Sequence, residues 1–293
     1  MVPRRIELRT QGFSVLCSTN WAKVPLKIAK ANINVLSINL KFEKNLFTFT
    51  AQMINLLIDI GNSSTKVALT KENQIIEDFK FVELHLDEVI KILDKNKINN
   101  SALSNVARPT PEIEKLLMDR TSLYSITKSS IPIKVPYSIE TVGQDRLALM
   151  IAAYADYPND NVLVIDMGTC ITYDIKKGNN EYLAGGISPG LQMRVESISK
   201  GAFNLSDISP SYPNSLIASD TKSSLDIGIV KGIQYEIEGF IQKYSSDYSD
   251  LKVIITGGGS KILSGKIKNT IFTNSNYIFK GLDFLIEYNR QNA

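Results

Sequence analysis

The sequence predicts an α/β protein with mixed sheets, made of two related lobes that face each other and each open βββα. Three observations carry this. The segment "LLIDIGNSSTKVAL", residues 56–69, is an apolar run closed by an aspartate, Asp59, with a glycine two places on. The segment "VLVIDMGTCITYDI", residues 162–175, repeats it, with Asp166, Gly168 and Thr169 where the first has Asp59, Gly61 and Asn62. Each copy also carries a threonine six places after its aspartate, Thr65 and Thr172. An ionised carboxylate is costly to bury without a partner, so each aspartate at the end of a core-like strand needs something to face. A single copy is explained equally well by an ordinary turn. The matched pair favours a ligand between the lobes.

The elements follow in order. Ile54–Ile60 reads as a strand, Thr65–Thr70 as a second after a polar turn, and Gln74–Val82 as a third beyond "TKEN". A helix is expected over Leu86–Lys95, because Leu86, Val89, Ile90 and Leu93 recur at helical spacing. The second copy gives strands at Val162–Asp166, Ile171–Lys176 and, after the turn "KGNN", Tyr182–Ile187. A helix is expected to open near Pro189, since proline in a first helical turn loses no hydrogen bond. Between the copies, Leu147, Met150, Ile151 and Tyr154 have helical spacing. That places Asp145 and Arg146 of "GQDR" at a helix N-terminus, where an aspartate is also a favoured cap.

Length and composition bound what these elements do. A chain of 293 residues, 43% hydrophobic and 22% charged, buries a sizeable core and divides into two domains. No apolar run reaches the roughly 18 residues that span a bilayer, so a soluble protein without a membrane partner is expected. Cys17 and Cys170 form neither a disulfide framework nor a zinc pattern, which fits a reducing compartment. The single histidine, His85, opens a surface helix and supports no triad or histidine-rich metal centre. Residues 1–52 hold eight of the 33 Lys and Arg residues but only two acids, Glu7 and Glu43, leaving 25 basic and 28 acidic residues beyond them. Such a leader is either a transit peptide or nucleic-acid arm, or a dispensable extension upstream of a start at Met53. The absence of a secretory apolar core and of helical spacing favours the extension. The expected division is therefore 1–52 as an extension outside the core, 53–158 as the first lobe and 159–293 as the second.

The turns after the paired aspartates suit one chemistry. "GNSST" and "GTCIT" are small and polar, so their backbone N–H groups are able to cradle phosphate oxygens. A carboxylate beside each turn holds a cation, and magnesium is typically bound by one or two carboxylates plus substrate phosphates. Asp59 would then face a metal–phosphate complex between the lobes. A third feature, "GGGS" at Gly257–Ser260, follows the apolar strand "LKVIIT". Its glycines either let a nucleotide approach the backbone or make a plain strand-to-helix turn.

Four motifs in this order resemble the type III pantothenate kinases, within the acetate-kinase, sugar-kinase, heat-shock-70 and actin superfamily. "DIGNSSTK" resembles the first phosphate motif, "GQDR" the substrate motif, "DMGTCIT" the second phosphate motif, and "AGGISPGLQM", Ala184–Met193, a glycine–proline segment. The resemblance runs from about Met53 to near Glu287 and leaves the leader uncovered. It implies two actin-like, ribonuclease H-like lobes with the nucleotide cleft between them, and a cytoplasmic homodimer acting on pantothenate rather than nucleic acid. It implies ATP contacts from Asp59, Ile60, Gly61, Asn62, Ser63, Ser64, Thr65, Lys66 and Thr169. Asp59 also serves magnesium, through water, and Asp166 serves a monovalent cation, potassium or ammonium. Asp145 becomes the base that accepts the proton of the pantothenate hydroxyl, with Arg146 as a planar fork for the substrate carboxylate. Gly143, Gln144 and Tyr137 complete the substrate site, and Thr221 closes over it from the partner subunit, unless it simply caps the following helix. Four positions depart from the family pattern: Ser63 replaces a common threonine, Cys170 and Ile171 replace small or hydroxyl residues, and Pro136 holds the usual place of the tyrosine assigned to Tyr137. Two other functions are compatible with the superfamily: a different small-molecule kinase, and a non-enzymatic nucleotide-binding regulator. Asp145 and Arg146 together favour the enzyme.

Overall fold

The computed structural model describes residues 53–292 apart from 137, 202–204, 206–208 and 273–274. The leader and Tyr137 therefore lie outside the described residues. Residues 53–293 form one compact unit, and two five-stranded sheets organise it.

The first sheet runs β3 (Gln74–Phe81), β2 (Thr65–Lys71), β1 (Ile54–Ile60), β4 (Ile98–Asn105) and β5 (Ser122–Ser125). The second runs β8 (Tyr182–Pro189), β7 (Cys170–Lys176), β6 (Val162–Met167), β9 (Lys252–Thr256) and β10 (Ile271–Phe272). The two orders match strand for strand. In each, the strand that ends in the aspartate is central, with an antiparallel neighbour on one side and a parallel one on the other. That position buries both of its faces, which is why β1 and β6 read as continuous apolar runs.

The helices follow the same plan. After β3 comes α1 (Leu86–Lys95), and after β4 comes α2 (Pro111–Arg120). His85 sits at the α1 N-cap, its backbone N–H donating to Glu88 Oε2 at 2.7 Å, which is a structural role. After β5 comes α3 (Gln144–Asp156), and after β8 comes α4 (Leu191–Gly201). Next are α5 (Thr221–Asp226), a π-helical turn at Ile227–Lys231, and α6 (Gly232–Asp247). A 3₁₀ turn at Gly258–Leu263 follows β9, and α7 (Tyr277–Asn292) closes the chain.

Two expectations differ from what is observed. Pro189 does not open a helix; it is the last residue of β8, and α4 starts at Leu191. Proline is tolerated there because β8 is an edge strand and needs no further N–H on its open side. Strand β4, "INNSALSN", was not expected from its composition, yet Asn100, Ser101 and Ser104 are buried within it. Apart from Asn99 Oδ1, which has no partner among the described residues, its buried polar side chains are satisfied by residues distant in the chain. Asn100 Nδ2 donates to Asn55 Oδ1 at 2.8 Å, and Asn55 Nδ2 donates to Asp283 Oδ1 at 2.8 Å. Thr70 Oγ1 donates to the same Asp283 oxygen at 2.6 Å. A connected network of this kind avoids the penalty that a lone buried amide would incur.

Asp283 belongs to α7, so the end of the chain is tied to the first sheet. Helix α7 packs on β1, β4 and β5, while α3 packs along α7 and against β6 and β7. A common core results, in which Leu147, Met150 and Ile151 of α3 meet Phe279, Leu282 and Leu285 of α7 between Leu57 and Val164 of the two central strands. The two helices approach most closely at Gly281, where a Cβ would lie 1.9 Å from the carbonyl oxygen of Ala148. Substituting Gly281→Ala should therefore force the helices apart at a cost of about 1–3 kcal/mol, which at roughly 2–4 °C per kcal/mol is a drop of several degrees in melting temperature. An unchanged melt would show that the helices do not touch there.

Candidate active site

The duplicated plan brings both aspartates to equivalent strand ends. Asp59 lies opposite Lys66 on β2 and Ser104 on β4. Asp166 lies opposite Thr172 on β7 and Thr256 on β9. Ser104 Oγ donates to Asp59 Oδ1 at 3.2 Å. The two turns meet: the hydroxyls of Ser63 and Thr169 are hydrogen-bonded at 2.8 Å. Within the first turn the N–H of Gly61 donates to Ser64 O at 3.2 Å, and behind the second the N–H of Gly190 donates to Thr169 O at 3.1 Å. Asn62 and Ser63 are exposed at the tip of the first turn, Gly61 and Ser64 are partly so, and Ile60 and Thr65 are buried beneath it.

Asp145 and Arg146 occupy the first turn of α3, with Gly143 as N-cap. The backbone N–H of Arg146 donates to Asp145 Oδ1 at 2.7 Å. Gln144 Oε1 accepts from the backbone N–H of Asn105 at 2.9 Å, anchoring this turn to the end of β4. A cavity lies beside Gln144, lined also by Asn105, Leu123 and Ser125.

The electrostatics join these parts. Burial pushes the Asp59 carboxyl up to about 6, Lys66 pulling it down and Asp145 raising it further. Burial pushes Asp166 up to about 7; Lys66 opposes the shift, while Asp145, Asp59 and Asp174 reinforce it. Asp145 is also raised by burial, against the N–H and guanidinium of Arg146. Asp59, Asp145 and Asp166 thus share one field, and Lys66 is the cation that offsets two of them. Its ammonium donates to the carbonyl of Ser275 at 2.8 Å, just before α7.

The structure adds detail at three of the positions singled out in the sequence. Arg146 does not present an open fork: its Nε and Nη2 donate to Asp174 Oδ2 and Oδ1 at 2.9 and 2.6 Å, and Nη2 reaches Gly185 O at 3.3 Å. Thr221 is not a cap, because Asp220 occupies that position and its side chain accepts from the N–H of Ser223 at 2.7 Å. Thr221 remains exposed at the start of α5. Gly257, the first glycine of "GGGS", has φ 91°, and a Cβ on it would lie 2.4 Å from Asp166 Oδ1. The backbone of Met167 would lie 2.5 Å away as well, so the positive φ and the close approach of the β6 end together demand glycine. Asp174, Ser104 and Ser275 were not singled out in the sequence. Asp174 carried the same signal as Asp59, a carboxylate inside an apolar strand.

The raised carboxyls make stability depend on pH. A group whose folded pKa exceeds its unfolded value contributes stability in acid and loses it as pH rises through the folded value. For Asp166 that loss runs from about 3.8 to about 7. Asp166→Asn should therefore melt higher than the unsubstituted, ligand-free protein, by a margin that widens between those limits and reaches at least ~2 °C at pH 8. A margin independent of pH would show that Asp166 is already charged when folded.

Comparison with known proteins adds to this geometry. The family model described as type III pantothenate kinase matches residues 55–243. A type III pantothenate kinase of Christiangramia forsetii is 42% identical over 241 residues, covering 81% of this chain and 99% of that one. Those of Flavobacterium psychrophilum and Bacteroides fragilis are 36% and 33% identical, each over 80% of this chain and at least 98% of their own. Among solved structures, a candidate Baf-family transcriptional activator from Campylobacter jejuni superposes with a TM-score of 0.54 at 23% identity, covering 80% of this chain and 99% of that one. A candidate 2-dehydro-3-deoxygalactonokinase from Sinorhizobium meliloti gives 0.51 at 13% identity, covering 81% and 99%. These two bear on the fold alone, which is the two-lobed actin-like one.

Proposed function

The chain belongs to the type III pantothenate kinase family, and on that premise we propose how its residues move the terminal phosphoryl group of ATP to pantothenate, the first step of coenzyme A biosynthesis. The observation that carries the assignment is the pairing of Asp59 and Asp166 at equivalent strand ends, beside two turns whose Ser63 and Thr169 hydroxyls are hydrogen-bonded at 2.8 Å. Asp145 accepts the proton of the pantothenate primary hydroxyl as its oxygen bonds to the γ-phosphorus and ADP departs. Its raised affinity for a proton makes it a stronger base than a solvated aspartate. The turns carrying Ser63 and Thr169 hold the phosphates, with backbone N–H groups aimed at the oxygens. Such a site works by alignment and charge neutralisation more than by covalent chemistry.

The residues present fit magnesium. Among the described residues no group of three or more metal-ligating side chains is found, so the protein offers isolated carboxylates rather than a cage. Magnesium held by one or two carboxylates completes its shell with phosphate oxygens and water, which Asp59 suits. When bound it neutralises charge that builds on the phosphates. Asp166, at the matching strand end, would hold a monovalent cation.

The partner subunit enters through Thr221. Its hydroxyl is exposed and not used as a helix cap. Ile187 on the open edge strand β8, together with Met193, Leu216, Ile217 and Tyr235, exposes apolar surface on the second half of the protein. That favours a homodimer over a monomer. Among the described residues no helix is long and apolar enough to cross a membrane, and we place the enzyme in the cytoplasm with its substrates.

Replacing the base should separate chemistry from binding. Asp145→Asn should melt no lower than the unsubstituted protein at neutral pH and keep the affinity for ATP, while lowering ADP release with pantothenate by about 10² or more. The same assay should run faster in potassium or ammonium than in sodium. Near-normal turnover in the variant would remove Asp145 from the chemistry, and equal rates in sodium would remove the cation from Asp166.

A further inference from the structure

A buried carboxylate that the reaction does not use lies next to the site. Asp174 is in the interior of β7, its side chain 3% exposed, and it holds the guanidinium of Arg146, itself 12% exposed, by two parallel hydrogen bonds. Tyr182 on β8 donates its hydroxyl to Asp174 Oδ1 at 2.8 Å, and the carbonyl of Gly185 accepts from Arg146 at 3.3 Å. Both lie on the strand beside β7. None of these bonds uses Nη1 of Arg146. Burial alone would weaken the hold of Arg146 on its proton, and the hydrogen bonds and charge of Asp174 more than offset it.

A buried ion pair is a poor choice if the task is only to hold α3 on the second sheet. Its desolvation cost roughly cancels its attraction, and packed apolar residues serve as well. What two parallel bonds add is orientation. Orientation is at risk here, because Arg146 is adjacent to Asp145 and within the field of that carboxyl. A guanidinium released from Asp174 is free to fold back onto the base.

We infer that Asp174 is a positioning residue: with Tyr182 and the Gly185 carbonyl it clamps the Nε–Nη2 edge of Arg146, keeps the guanidinium off Asp145, and leaves its Nη1 side for the carboxylate of pantothenate. The inference rests on the proposed role of Arg146. It accounts for an arginine whose fork is occupied before substrate arrives. It also makes selectivity for an acidic substrate depend on a residue of β7 that the substrate does not touch.

The test compares pantothenate with its neutral alcohol analogue, in which the carboxylate is replaced by a hydroxymethyl group, in Asp174→Asn and Tyr182→Phe. Asn retains the shape but cannot accept both guanidinium bonds as a carboxylate does. The expected result for Asp174→Asn is a KM for pantothenate raised about tenfold or more, with the KM for the analogue unchanged. Removing one partner of a buried pair is strongly destabilising; should Asp174→Asn not fold, Tyr182→Phe decides, with a smaller rise confined to pantothenate. Equal rises for both substrates, or a fall in kcat alone, would overturn the inference by showing a general structural role. Failure of the proposed role of Arg146 is read separately, in the unsubstituted enzyme, as equal KM values for the two substrates.

Discussion

The structure is organised around negative charge that it does not neutralise. Burial raises the affinity of Asp59, Asp145 and Asp166 for protons, Asp145 raises that of the other two further, and Lys66 only partly compensates those two. Removing carboxylates from water without full pairing costs stability, and a fold keeps such an arrangement where a ligand supplies the missing positive charge. A magnesium nucleotide does so. The matching strand ends hold Asp59 and Asp166 at equivalent positions in the two sheets.

The fixity comes from the crossing of the helices. Each sheet delivers one aspartate, but the helices that pack between the sheets derive from both halves of the chain. Helix α3 carries Asp145 and Arg146 and is anchored at one end to β4 by Gln144 and on the other side to β7 by Asp174. Helix α7 is bound to the first sheet by the Asp283 network, and the Ser275 carbonyl just ahead of it accepts from Lys66. Asp145, the two turns and Lys66 are therefore placed by one shared core.

Much of this was legible in the sequence where apolar period and turn chemistry agreed. Strand β1 and helix α1 were bounded to the residue, because a central strand and an amphipathic helix each leave an unmixed pattern. Strand β4 was not legible: its buried positions are asparagine and serine, satisfied by Asn55 and Asp59 from a distant part of the chain. Pro189 was read as a helix start because local preference does not reveal that a strand lies at a sheet edge. For the candidate site, the pairings of the residues were not legible. Arg146 and Asp174 are 28 positions apart, and only the fold shows that the arginine is already engaged.

The central claim is that burial raises the proton affinity of the two strand-end carboxyls and that a bound magnesium nucleotide would lower it. It is tested most directly by following the carboxyl carbons of Asp59 and Asp166 by NMR across pH, in the free protein and with magnesium and a non-hydrolysable ATP analogue. The free protein should show midpoints at about 6 and about 7, and the complex should bring both below ~4, the range of an aspartate beside positive charge. Midpoints near 4 in the free protein, or raised values that persist in the complex, would contradict the account.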